Sequence, residues 1–104
     1  MSNNEVITRI REVAERVLPE DSKLYLYGSR ARGDNREDSD WDLLVLLNKQ
    51  RIEPNDYDKY SYPFAILGWD INQYINPILY TTNNWETKSF TPFYKNVMSD
   101  RIVL

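Results

Sequence analysis

The chain has 104 residues, with 16 acidic and 13 basic side chains, a formal net charge of −3, and neither cysteine nor histidine. This composition excludes disulfides, thiolate zinc sites, cysteine nucleophiles and Ser-His-Asp catalysis, and it leaves carboxylates as the only strong metal ligands. The length predicts one domain over residues 1–104, and the negative charge disfavours a nucleic-acid-binding surface, which needs a basic patch.

The amino terminus predicts a helix. Ser2 and Glu5 have the spacing of a capping box, apolar residues then recur at helical intervals as far as Leu18, and Pro19 marks the end. We interpret this helix as scaffold. No stretch approaches the roughly 20 apolar residues of a membrane-spanning helix, and the polar start is not that of a signal peptide, so no membrane association and a cytoplasmic location are expected.

A sharp turn follows the first predicted strand. Residues 23–27 alternate polar and apolar side chains, as a strand does, and Gly28-Ser29 stops them. Gly28 permits both the bend and the close approach of a ligand, while Ser29 is expected to cap a short helix that ends at Gly33. The free N–H groups at the start of that helix and the Ser29 hydroxyl predict a phosphate site.

Arg30 and Arg32 lie in this short helix and are candidate phosphate ligands, because guanidinium groups make charge-assisted hydrogen bonds. The alternative is that both form solvated ion pairs with nearby carboxylates, which contribute little to stability. The glycine spacing imitates a Walker A loop, but Asp34 stands where that loop needs lysine, so that loop is excluded.

Two aspartates open the second predicted strand. The strand period of two places Asp40 and Asp42 on one face, about 6 to 7 Å apart at Cα, where they can share a metal ion. Oxygen ligands of this type suit Mg²⁺, which completes its octahedron with water and substrate phosphates. Leu43 and Lys49 exclude an EF-hand, which needs glycine and glutamate at those positions. Taken singly, Asp40 could instead be a turn acid and Asp42 one partner of a surface ion pair.

The remaining chain completes the predicted fold. The apolar run 43–47 predicts a strand buried on both faces. Beyond it we predict a helix with an apolar stripe from Tyr57 to Ile71, which Pro63 begins or kinks, and then a strand from Tyr74 to Tyr80. A turn capped by Thr81 or Thr82 follows, and after it an amphipathic helix that begins at Thr91-Pro92 and whose apolar face includes Phe90. The apolar tail is expected to dock as a strand or to contact a partner. The expected fold class is α/β (α+β), a small mixed sheet with helices packed on it.

The pattern of Gly28-Ser29, ten residues, and then Asp40-x-Asp42 is a family motif. In these residues the chain resembles the nucleotidyltransferase superfamily of DNA polymerase β type. It looks most like the minimal nucleotidyltransferases, small proteins that are often the antitoxin partners of HEPN-domain toxins. The motif itself covers residues 28–42, and the order of the other elements agrees with a nucleotidyltransferase palm over nearly the whole chain.

The resemblance implies a division of roles. Gly28 and Ser29 hold the triphosphate of ATP or another nucleoside triphosphate, and Asp40 and Asp42 act as catalytic ligands of two Mg²⁺ ions. AMP from ATP is then the leading candidate for transfer to a hydroxyl of a partner protein, such as a tyrosine of a HEPN-type toxin.

The chain departs from the family at one position. The family usually places a third acid on a later strand, where this sequence has Asn76, and an amide cannot act as a base. Asp70 is the remaining candidate for that role. Two other functions therefore stay open: a nucleotide-binding protein that neutralises a partner by association alone, and transfer to a small molecule such as an aminoglycoside, which the lack of a second acceptor-holding domain disfavours.

Overall fold

One mixed sheet organises the chain, and the computed structural model describes it over residues 1–104. Its strands are β1 (Lys23–Tyr27), β2 (Trp41–Leu47), β3 (Ile75–Thr81) and β4 (Ile102–Val103). They lie in the order β3-β2-β1-β4, with β2 parallel to β3 and β1 antiparallel to both β2 and β4. The predicted mixed sheet and the docking of the tail as a strand are confirmed.

The helices begin where the sequence offers caps. They are α1 (Asn3–Val17), α2 (Ser29–Arg32), α3 (Pro54–Asp56), α4 (Tyr62–Ile71), α5 (Thr82–Glu86) and α6 (Pro92–Asp100), with a π-helical segment, Tyr57–Ser61, before α4. Ser2, Thr81 and Thr91 each accept a hydrogen bond from the backbone N–H three residues on, which confirms the predicted caps. None of these helices is long and apolar enough to cross a membrane.

Strand β2 is buried on both faces, as its apolar run predicts. Alternate β2 residues pack against α1 and α4 on the first face: Trp41, Leu43, Val45 and Leu47. Leu44 and Leu46 pack on the second face against Trp85 of α5 and Val97 of α6. Because side chains alternate along a strand, Asp42 shares the second face with Leu44 and Leu46.

Three aromatic residues predicted to face the core or the sheet are exposed. Tyr57 lies in the π-helical segment, whose wider turn rotates it away from the face that buries Phe64 and Leu67. Phe90 precedes the cap of α6 and so lies outside the amphipathic face of that helix. Phe93 lies on the predicted face of α6 and contacts Tyr27 and Trp85, but it remains 42% exposed. The predicted faces are correct for Phe64 and Leu67 of α4 and for Val97 of α6.

A buried carboxylate fixes the loop after β2. Asp56 accepts hydrogen bonds from Lys49 Nζ at 2.8 Å and from the Glu53 backbone N–H at 2.8 Å. Burial raises the pKa of this carboxyl, but the bonds from Glu53 and Lys49 outweigh burial and hold the pKa below its ordinary value. The charged form of Asp56 therefore stabilises the fold.

We expect Asp56→Ala to lower the free energy of unfolding by about 2 kcal/mol at pH 7, because hydrogen bonds to a charged group contribute about 1.5 to 3 kcal/mol. A depressed pKa in the folded state gives stability that is present above the unfolded pKa and lost as the pH falls through the folded value. Urea unfolding should therefore show the difference between the two proteins narrowing as the pH falls below about 4. The exposed neighbour Asp58→Ala serves as the control, and a difference that widens in acid would contradict the assignment.

Candidate active site

Gly28 makes the turn between β1 and α2. Its φ of 79° and ψ of −161° lie in a region that essentially only glycine adopts. Gly28 occupies the cap position that the sequence assigns to Ser29, and Ser29 is instead the first residue of α2, so the predicted serine cap is wrong. The helix ends at Gly33 in the left-handed conformation, with φ 86°, as predicted.

Gly28 packs directly against Asp42. A Cβ atom built on Gly28 would lie 2.6 Å from Asp42 Oδ2, closer than any stable contact between these atoms. The turn and the carboxylate are thus in immediate contact, although fourteen positions separate them in the sequence. Only a residue without a side chain allows this approach.

Three side chains form a row across the second face of the sheet. Asp42 lies opposite Tyr27 of β1 and beside Asn76 of β3 in the strand register. Asp40 immediately precedes β2 and is exposed. The structure therefore brings together Gly28, Asp40, Asp42 and Asn76. They lie at the end of the sheet where β1 ends and where β2 and β3 begin.

The charge of Asp42 is unfavourable without a cation. Partial burial raises the pKa of its carboxyl, the adjacent amide of Asn76 lowers it, the charge of Asp40 raises it, and Arg32 lowers it, with a net increase. Repulsion between the two carboxylates shows that they lie close enough to affect each other. A cation held by both would relieve this repulsion and keep Asp42 ionised.

The donor set fits a divalent metal ion such as Mg²⁺. Two carboxylates and one amide oxygen are hard ligands, and no third acidic side chain joins them. Mg²⁺ typically binds through one or two protein carboxylates and takes its other ligands from water and phosphates. The residues present therefore fit a metal ion that shares its coordination with a phosphorylated ligand.

Asp70 does not belong to this site. It lies on α4, which packs on the first face of the sheet, and it lines a groove with Arg9 and Arg16 of α1. Asp42 points to the second face, so the sheet separates the two carboxylates. The prediction that Asp70 replaces the missing third acid is therefore wrong.

Arg30, a predicted phosphate ligand, is instead bound within the protein. Its guanidinium donates to the Ser39 carbonyl at 3.0 and 3.2 Å, to the Glu37 carbonyl at 2.9 Å and to Asn3 Oδ1 at 3.0 Å. The same group stacks on Trp41, 4.6 Å from the ring centroid, and the residue is only 8% exposed. All three guanidinium nitrogens are therefore bound: Nε and Nη2 hold the loop before β2, and Nη1 ties α2 to Asn3 of α1. We assign Arg30 a structural role.

A structural role makes Arg30→Met destabilising without a direct effect on nucleotide binding. We expect a loss of about 3 kcal/mol in the free energy of unfolding, because several hydrogen bonds from a charged group are removed together. Urea unfolding measures the loss, and calorimetry below the unfolding transition measures the affinity for Mg-ATP. Weaker Mg-ATP binding with an unchanged urea midpoint would restore the phosphate role.

Arg32 lies at the site but is paired. Its Nη1 is 2.7 Å from Asp100 Oδ2, at the end of α6, and its Nε is 3.2 Å from Asp34 Oδ2. Its charge also reaches Asp42, where it lowers the pKa of the carboxyl. Its Nη2 makes no hydrogen bond within the protein and stays available to a phosphate.

The sequence did not identify Tyr27 as a site residue. Burial, the charge of Asp42 and the proximity of Tyr80 raise the pKa of Tyr27 to about 12, so its hydroxyl stays protonated at neutral pH. The ring of Phe93 contacts it edge-on, with the centroids 5.9 Å apart. Its position directly before Gly28 is a sequence feature that could have pointed to Tyr27 as a site residue. The strand register that places Tyr27 opposite Asp42, however, depends on a loop whose path the sequence does not specify.

A turn packed on an Asp-x-Asp strand is the arrangement that the sequence motif implies for a nucleotidyltransferase. The family model described as a nucleotidyltransferase domain matches residues 7–104, and the chain belongs to this family. A search of curated proteins found no match.

Solved structures share the fold. A protein assigned as a minimal nucleotidyltransferase is 22% identical, with a TM-score of 0.67 over 100% of this chain and 97% of that chain. A toxin–antitoxin structure with AMP-PNP is 15% identical, with a TM-score of 0.61 over 99% of this chain and 72% of the other. A tyrosine-to-alanine variant of the toxin–antitoxin MntA-HpeT is 16% identical, with a TM-score of 0.62 over 94% and 70%. These similarities confirm the predicted resemblance at the level of fold.

Proposed function

We propose that this protein is a Mg²⁺-dependent nucleotidyltransferase that moves AMP from ATP to a hydroxyl of a partner protein. The observation that carries the proposal is the contact of Gly28 with Asp42, which joins a phosphate-binding turn to a pair of carboxylates. The family assignment supports transfer of a nucleotide. Two of the similar structures are toxin–antitoxin proteins, one of them with AMP-PNP, and they support a nucleotide and a protein partner.

Each residue has a role in this proposal. Gly28 and Ser29 hold the triphosphate, and Asp40 and Asp42 hold the metal, with two ions when nucleotide is bound. Bound Mg²⁺ would neutralise charge on the phosphates. The acceptor oxygen forms a bond to the α-phosphorus, the bond to the β-phosphate oxygen breaks, pyrophosphate leaves, and the acceptor proton passes to solvent or to a base on the partner. The protein mainly positions the reactants, as phosphoryl transfer requires.

Asn76 favours a second candidate function. In the row across the sheet it takes the place beside Asp42 where the family's third acid is expected, and it adds no negative charge. In this alternative the protein still binds Mg-nucleotide but neutralises its partner by association. A HEPN-type toxin is the proposed partner in both cases, and a cytoplasmic location and a single domain over residues 1–104 are part of the same proposal.

The deciding experiment combines the protein with α-labelled ATP, Mg²⁺ and the protein encoded by the neighbouring gene. We expect label on a hydroxyl of the partner, and no label with the double variant Asp40→Asn/Asp42→Asn. Neutralisation of the partner that needs no ATP and survives the double substitution would contradict transfer and support association. Calorimetry with Mg-ATP is the first step, because an absence of metal-dependent binding would contradict both functions.

The missing carboxylate gives a prediction of increased activity. We expect Asn76→Asp to strengthen Mg²⁺ binding and to raise the transfer rate by about tenfold or more, since a third carboxylate adds charge to the site and a possible base. Metal titration and label transfer measure the two effects. The matched control is Asn83→Asp, which adds the same charge at an exposed position on α5, and equal effects in both variants would contradict a specific role for this position.

A further inference from the structure

A groove of about 470 Å³ opens beside the candidate active site. It lies between the carboxyl end of α4 and the loop that leads into β2. Ser39 and Tyr74 both line it, one residue before Asp40 and two residues before Asn76. The groove is therefore next to the carboxylates but is not part of their donor set.

An exposed tryptophan forms one wall of this groove. Trp69 is 70% exposed, and an edge-on contact with Tyr62, at 5.8 Å between ring centroids, holds it in place. Tyr62, Ile66 and Trp69 follow one another at helical spacing and form an exposed apolar stripe on α4. Exposed apolar stripes anchored by an aromatic residue are typical of protein interfaces.

The groove is also lined by two carboxylates that make no salt bridge. Glu37 and Asp38 line the groove, and neither carboxylate takes part in any of the four salt bridges of the protein. No lysine or arginine lines the groove. Arg30 reaches only the carbonyl of Glu37, while Arg36 lines an adjoining depression together with Glu37 and Asp38 but forms no salt bridge with either.

We propose that this groove docks an exposed segment of a partner protein through an arginine side chain. A guanidinium can stack on the indole of Trp69 with its flat face and donate to the carboxylates of Glu37 and Asp38 with its edge. A lysine ammonium offers only a point charge. The net charge of −3 also favours a basic partner surface. The docking concerns association, and it holds whether or not nucleotide transfer takes place.

Fluorescence gives a specific readout, because Trp41 and Trp85 are fully buried and only Trp69 is accessible. Titration with a blocked tetra-arginine peptide should change the Trp69 emission saturably, and a blocked tetra-lysine peptide should bind at least about tenfold more weakly. The double variant Glu37→Gln/Asp38→Asn should lose about tenfold in affinity for tetra-arginine. Trp69→Leu, followed by calorimetry, should lose a similar amount.

The control variant Glu15→Gln/Glu20→Gln removes the same charge at the opposite end of the sheet, where both residues line a different groove. It should keep its affinity within about twofold of the parent protein. Equal losses in the two double variants, or no saturable change, would overturn the proposal. Sedimentation that shows dimers lost in Trp69→Leu would also overturn it, since the occupant would then be a second copy of this chain. Unchanged urea midpoints show that each variant is folded.

Discussion

Asp42→Asn is expected to lower nucleotide transfer by at least about a hundredfold, because a metal ion supplies several kcal/mol of charge stabilisation in the transition state. The asparagine keeps the shape of the side chain and removes its charge. It also ends the repulsion from Asp40, which contributes to the raised pKa of Asp42, so the variant should be at least as stable as the parent protein. Label transfer and Mg²⁺ titration measure the functional loss, and urea unfolding measures the stability.

The control for this substitution is Asp58→Asn, which makes the same change of charge at an exposed position in the π-helical segment. It should leave metal binding and transfer unchanged. If Asp42→Asn binds Mg-ATP as tightly as the parent protein, Asp42 is not a metal ligand. A loss of stability in that variant would show that the carboxylate serves the fold instead.

Gly28→Ala is expected to weaken metal-dependent nucleotide binding strongly at a moderate cost in stability. The backbone strain at this position costs about 1 to 3 kcal/mol in the free energy of unfolding. The new methyl group would overlap Asp42 Oδ2, and the short aspartate side chain can relieve the overlap only by turning away. That movement displaces a predicted metal ligand, so Mg-ATP affinity measured by calorimetry should fall by about a hundredfold.

Gly33→Ala separates the effect of backbone strain from the effect of displacing Asp42. Gly33 also has a positive φ, 86°, but nothing lies within 4 Å of a Cβ atom placed there. We expect a loss of about 1 to 2 kcal/mol in stability and no change in the affinity for Mg-ATP. Equal effects of the two substitutions on binding would show that the contact between Gly28 and Asp42 has no functional importance.

Much of the fold could be predicted from local patterns. The capping residues Ser2, Thr81 and Thr91 are recognisable because each hydroxyl satisfies a backbone N–H three residues away. The double burial of β2 follows from its continuous apolar run. The exposure of Tyr57 could not be predicted, because a π-helical segment shifts the periodicity from which burial is inferred.

The candidate site was partly predictable for a similar reason. The spacing of Asp40 and Asp42 predicts a common face without any knowledge of tertiary structure, although β2 begins only at Trp41 and leaves Asp40 just before the strand. Which face of the sheet receives each helix is a tertiary property, and it decides that Asp70 lies away from the carboxylates. The burial of Arg30 on Trp41 depends likewise on the path of the loop between α2 and β2.

The strand order has a consequence for solubility. Strand β3 lies at one edge of the sheet, and the carbonyl of Tyr74, just before it, accepts a hydrogen bond from Trp41 of β2. Since backbone groups alternate sides along a strand, Pro77 faces the open edge, where it offers no N–H to an incoming strand. The other edge is β4, which has only two residues. Both margins of the sheet therefore resist the strand-to-strand association that leads to aggregation, and contacts with other proteins are left to side chains.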